Sequence, residues 1–155
     1  MAKAQEAGVS SLEEHIGFWL RFVSNHVSGR FQGLVEEQGV SLSEWVALRQ
    51  LYGAGRVSPA KLIDSLGMTK GAISKVLDRL ETKALVRRVS DPSDGRAQFV
   101  ELTRAGRTLV PRLARIADEN DRHFFGKLAP ATRDALVQTL LTIVREHELK
   151  QIPID

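Results

Sequence analysis

The sequence predicts a mainly α fold, six helices interrupted by one small β-hairpin, on three observations. Apolar residues recur every three or four positions in six separate segments, the period of a helix with one buried face. Two of those segments, "SPAKLIDSLG" and "TKGAISKVLDRLE", are separated only by Met68, and so short a glycine turn between helices makes a helix-turn-helix. Behind the second lies "LVRRVSDPSDGRAQFVELT", two β-type runs around a cluster of turn formers. A hairpin placed directly after a helix-turn-helix is a winged helix.

Each element has its own local reason. Residues 11 to 37 read as one long helix: Ser10 or Ser11 caps it, Glu13 and Glu14 suit the positive end of its dipole, and Ile16, Trp19, Leu20, Val23 and Val27 form its stripe. Gly39 closes it. Ser41 or Ser43 caps the second helix, which Gly53 and Gly55 end. The third starts at Ser58 with Pro59 in the first helical position, where the missing N–H costs nothing, and stops at Gly67. Thr69 caps the fourth, whose buried stripe is Ile73, Val76, Leu77 and Leu80. In the hairpin Val100 and Leu102 face inward, while Phe99 is harder to place. Thr103 caps a fifth helix near 104 to 126, and Pro130 opens a sixth near 131 to 148 with Leu136, Leu140, Ile143 and Val144 apolar.

Length and composition bound the function. The 155 residues suffice for one self-standing core, and 43% hydrophobic with 26% charged residues is ordinary for a globular protein. No apolar run approaches the ~18 residues a membrane span needs, and "MAKAQEAGVSSLEEH" lacks the apolar core of a signal peptide, so a cytoplasmic location is expected. The chain has no cysteine, which removes disulfides, thiolate metal sites and thiol-based sensing. His15, His26, His123 and His147 have no metal-ligand spacing, and no cofactor is implied. Charge is distributed unevenly. Residues 56–107 carry eleven Lys/Arg against six Asp/Glu, whereas the remainder carries eleven against thirteen. A basic middle between mildly acidic ends suits a phosphate-facing lobe.

The fourth helix has the chemistry of a major-groove reader. Its amino-terminal half would reach base edges, where the small residues Gly71, Ala72 and Ser74 permit close approach. Thr69, Lys70, Ser74 and Lys75 can donate to bases or phosphate, while Arg79 and Lys83, a turn or more later, suit the backbone. Arg96 stands at the hairpin tip, two residues after Asp94, which can pair with it or set the turn. A guanidinium on so narrow a tip suits the minor groove. Arg88 at the base of the hairpin is a further candidate contact, although arginines at strand edges are common without one.

At this point the chain resembles the MarR-type transcriptional regulators, winged-helix homodimers of bacteria and archaea. The most specific stretch is "DRLETKALVRRVSDPSDGRAQFVELTRAG", in which Leu80, Glu81, Leu85, Val86, Arg88, Asp94, Arg96, Leu102, Thr103 and Gly106 stand at the family's positions. Ala84 departs from it, since the family usually has glycine there. The resemblance implies a three-part organisation. Residues 1–37 would form an amino-terminal dimerisation helix, 38–103 the DNA-binding lobe, and 104–155 the carboxy-terminal dimerisation helices. The apolar helix of Trp19, Phe22, Val23 and Val27 and the tail "ELKQIPID" agree, carrying more apolar surface than one small lobe covers. A two-fold dimer would read a rough palindrome in double-stranded DNA, with half-sites about one helical turn apart. The resemblance further implies repression, and release by a small anionic or phenolic effector held between the dimer helices and the reading lobe. His15, Trp19, Phe22, Trp45 and Arg49 are the aromatic and basic residues able to line such a cleft.

Two other classes compete. An enzyme would need a nucleophile, base or metal in a cleft, and the sequence has no nucleophile elbow, phosphate-cradling glycine loop or HExxH. An architectural or protein-interaction winged helix would bind any duplex alike, with the same steep salt dependence as a specific reader.

Overall fold

The computed structural model describes residues 8–150 and bears out the predicted architecture: six helices and a two-stranded hairpin. In chain order these are α1 (Ile16–Glu36), α2 (Leu42–Ala54), α3 (Pro59–Leu66), α4 (Lys70–Thr82), β1 (Val86–Ser90), β2 (Gln98–Leu102), α5 (Arg104–Phe125) and α6 (Pro130–Glu146).

The caps expected from sequence are largely in place. Ser58 Oγ accepts from Lys61 N, Thr69 Oγ1 from Ala72 N and Thr103 Oγ1 from Gly106 N, each at 3.2 Å. Between the two candidates for the second helix, Ser41 is the cap, and it closes a reciprocal box with Glu44: Ser41 N donates to Glu44 Oε2 at 2.8 Å while Glu44 N donates to Ser41 Oγ at 3.2 Å. Gly39, Gly55 and Gly67 stop their helices at positive φ, the last at +64°.

Two boundaries differ from expectation: Gly53, expected with Gly55 to end the second helix, lies inside α2, and the start of the first helix is displaced. The first helix does not run unbroken from 11. Leu12–Glu14 make a single 3₁₀ turn, His15 is extended (φ −94°, ψ 123°), and α1 begins at Ile16. Glu14 explains the break: its carboxylate turns back to accept from Ser11 N at 2.8 Å, closing a small separate turn. Of the tail "ELKQIPID", residues 151–155 lie outside the described residues.

The core sits in the lobe built by α2, α3, α4 and the hairpin, and it extends into α5 through Val110 and Leu113 and to the end of α1 through Val35. Ile73, Val76, Leu77 and Leu80 are all buried, so the stripe read from the sequence is the inner face of α4. The hairpin is antiparallel with Val86 opposite Leu102 and Arg88 opposite Val100. Val100 and Leu102 are buried as expected; Phe99, opposite Val89, is half-buried. Val57 adds a one-residue third edge, exchanging two hydrogen bonds with Val100 at 3.0 and 2.7 Å.

The long helices are organised otherwise. α1 lies along α5, pinned by the buried Asn120, whose Oδ1 accepts from Arg30 at 2.8 Å and whose Nδ2 donates to the Val27 carbonyl at 3.1 Å. α6 packs extensively against no other described element, and its apolar residues Leu136, Val137, Leu140, Leu141, Ile143 and Val144 are 38–46% exposed. Ile16, Trp19, Leu20, Phe22 and Val23 of α1 are exposed as well. No described helix is long and apolar enough to cross a membrane.

Candidate nucleic-acid interface

With its apolar stripe turned inward, α4 must present Lys70, Gly71, Ser74, Lys75, Asp78 and Arg79 to solvent, and all six are exposed, as is Thr69 at the cap. Ser43, Met68, Thr69, Gly71, Ala72, Lys75, Val76 and Arg79 line a shallow depression of about 450 Å³ between the start of α2 and α4. A Cβ added to Gly71 would meet nothing within 4 Å, so this surface is open to an approaching duplex.

The hairpin tip is built by its aspartates. Asp91 Oδ1 accepts from the backbone N and the hydroxyl of Ser93, at 2.8 and 2.7 Å, and these bonds hold its carboxyl below the ordinary aspartate range. Asp94 Oδ1 accepts from Arg96 N at 3.0 Å, so this carboxylate sets the turn through the backbone and leaves the guanidinium alone. Among the described residues the Arg96 side chain has no hydrogen-bond or ion-pair partner, and it is exposed.

Arg88 is placed differently. Its guanidinium spans from the hairpin to α4, at 2.8 Å from Asp78 and 3.2 Å from Glu81. The bond to Asp78, with the nearby Glu81, raises its pKa above the ordinary arginine value. In this geometry Arg88 braces the hairpin against the helix. On the far side Glu101 gathers Arg87 and Arg56, at 2.7 and 3.2 Å, and the Arg87 bond foremost draws its carboxyl below the usual range. Both strands are thus tied by charge to their surroundings while the tip is left free.

One feature escaped the sequence reading. Glu44 is only 1% exposed, yet its carboxylate lies 2.7 Å from Lys83 Nζ and 3.7 Å from Arg79 Nε. The spacing Ser41-x-x-Glu44 was a legible capping-box signal for half of that role; the cations could not be found without the fold. Ala84, which stands where the resembled family usually has glycine, is at φ +55°, a left-handed conformation that a side chain disfavours and glycine accepts freely.

The five candidate effector residues stand on two elements, His15, Trp19 and Phe22 on or just before α1 and Trp45 and Arg49 on α2. Trp19 lines an apolar groove of about 620 Å³ between α1, the end of α5 and α6, together with Ile16, Leu20, Val23, Phe125 and Leu140. Phe22 stacks within an aromatic row on α1, 4.6 Å from His26 and 6.2 Å from Trp19 between ring centres. His15 bonds the Ser11 carbonyl at 2.9 Å. Trp45 meets Phe31 edge-on at 6.3 Å on the margin of the core, and Arg49 is exposed on α2.

Comparison with known proteins places this geometry. Residues 38–97 match the family model described as MarR family. The chain is 30% identical over 95 residues to the transcriptional regulator HosA of Escherichia coli O111:H-, which is 61% of this chain and 70% of HosA. It is 27% identical over 135 residues to the HTH-type transcriptional repressor NicR of Pseudomonas putida, covering 87% of this chain and 85% of NicR. Among solved structures it is similar to Bordetella bronchiseptica BpsR, whose DNA binding is regulated by 6-hydroxynicotinic acid, with a TM-score of 0.75 at 27% identity over 88% of this chain and 97% of that one.

Proposed function

The chain belongs to the MarR family of transcriptional regulators, and from that premise we propose that it is a sequence-specific, double-stranded DNA-binding repressor that works in the cytoplasm as a homodimer. The observation that carries the proposal is the pairing of two exposed elements on one lobe: the open, small-residue start of α4 with Lys70 and Lys75, and the unpartnered Arg96 on a tip preset by Asp94. Thr69, Lys70, Gly71, Ser74 and Lys75 would meet the major groove, Arg79 the backbone, and Arg96 the minor groove. Asp94 and Arg88 serve by positioning, the one shaping the tip and the other fixing its base.

Dimerisation is supported by the apolar faces that one chain leaves bare on α1 and α6. Residues 1–37 and 104–155 would bury them in a second copy, and 38–103 would read DNA. Two lobes related by a two-fold axis then call for an inverted repeat. A small anionic or phenolic effector, bound between dimer helices and reading lobe by residues drawn from His15, Trp19, Phe22, Trp45 and Arg49, would release the DNA. The aromatic hydroxy acid that regulates BpsR has that chemistry.

The test is competition at near-physiological salt: a labelled, selected duplex is displaced by an unlabelled duplex of the same composition and scrambled order. A preference of roughly 10³ or more is expected of a specific reader. Equal displacement would leave an architectural winged helix instead.

A further inference from the structure

We propose that Glu44 determines how selective this DNA-binding lobe is, by holding back the charge of Arg79 and Lys83 from indiscriminate contact with phosphate. The inference rests on the reading of α4 as the helix that meets DNA. It starts from an oddity: a carboxylate 1% exposed within a lobe whose middle sequence is basic. The first turn of α2 accounts for part of it, since Glu44 Oε2 accepts from Ser41 N. A glutamine would do the same, because either side chain closes a capping box. Only the negative charge is then left to explain.

That charge is spent on α4. Lys83 Nζ is 2.7 Å from Oε2 and Arg79 Nε is 3.7 Å from Oε1, so one buried group faces Arg79 in the last turn of α4 and Lys83 just past its end. Both cations keep substantial exposure, 57% for the Arg79 side chain and 39% for that of Lys83. They can therefore be attracted to phosphate, but only in competition with Glu44. Each lysine or arginine that neutralises a phosphate adds affinity for any sequence through counterion release. A fixed carboxylate behind two such cations lowers this sequence-independent part. It also keeps them where only a duplex seated on the amino-terminal half of α4 meets them. Base contacts then make up a larger share of binding.

Glu44→Gln separates charge from shape. The test measures fluorescence anisotropy across a salt series on a selected operator and a scrambled duplex, for wild type, Glu44→Gln and Glu44→Gln/Lys83→Met, with circular dichroism as the check on fold. For Glu44→Gln the salt slope on the scrambled duplex should steepen by roughly 0.9, one additional phosphate. The affinity for that duplex should rise several-fold and the operator-to-scrambled ratio should fall. Lys83→Met in the same background should return the slope towards wild type. A folded Glu44→Gln protein with unchanged slope and ratio would overturn the inference, as would equal weakening on both duplexes, the mark of a purely structural role. Wild type failing to discriminate the two duplexes would overturn the reading of α4 as well.

Discussion

Gly106→Ala tests whether the wing is held where the structure puts it. Gly106 lies in the first turn of α5, directly against the entry to the hairpin. A methyl group there would fall well inside 3.0 Å of the Leu85 carbonyl oxygen and 3.2 Å from both Leu85 C and Leu102 Cδ2. The neighbour is backbone and cannot rotate away. That same oxygen accepts the Thr103 N–H at 3.0 Å, so moving it also disturbs the bond that starts α5. Overpacking of this kind costs about 1–3 kcal/mol and a lost hydrogen bond about 1 kcal/mol, against a helix-propensity gain of up to ~1 kcal/mol. The net expectation is a loss of about 2 kcal/mol, which for a chain of this size lowers Tm by roughly 4–8 °C. Chemical denaturation at fixed protein concentration reads it, since a dimer's stability depends on concentration. Gly71→Ala is the matched control. Its methyl group meets nothing, so stability should hold or rise by a few tenths of a kcal/mol. A Gly106→Ala midpoint at or above wild type would refute the reasoning.

Ala84→Gly should stabilise by about 0.5–1 kcal/mol, because relief of the left-handed strain exceeds the added freedom of the unfolded chain; denaturation midpoints check it. Arg96→Ala should leave the melting curve unchanged, since the exposed side chain makes no hydrogen bond or ion pair with any described residue, and should weaken operator binding by roughly 1–3 kcal/mol in an anisotropy titration. Glu101 titrates below its ordinary value of 4.5 in the folded state. The folded form then binds fewer protons than the unfolded form. Its contribution is present above pH 4.5 and is lost as pH falls through the lowered value, so denaturation below pH 4.5 should be steeper in wild type than in Glu101→Gln. Sedimentation should give a dimer at micromolar concentration, and a monomer there would contradict the role assigned to the bare faces of α1 and α6.

The legible parts of this protein were those set by neighbours in sequence. Ser58 with Pro59, Thr69 and Thr103 announce helix starts by their own hydrogen-bonding chemistry, and Gly67 announces a stop. The stripe from Ile73 to Leu80 fixes which face of α4 is free, and with it most of the candidate interface. Long-range charge was not legible. Arg88 looked like a free cation until the fold brought Asp78 and Glu81 to it, and Glu44 reaches Lys83 across 39 positions of sequence. Nor does periodicity reveal a one-residue strand such as Val57, or the interruption at His15, which depends on where the Glu14 side chain turns. The five effector candidates were read by residue type, which carries no information on location; three stand on or just before α1 and two on α2.

The most direct test of a dimeric, sequence-specific reader is selection from a random duplex pool at near-physiological salt, with sequencing of what is retained. The predicted result is an enriched inverted repeat, its half-sites about one helical turn apart and A·T-rich steps where Arg96 would enter the minor groove. Retention of duplex with no enriched sequence would contradict the claim.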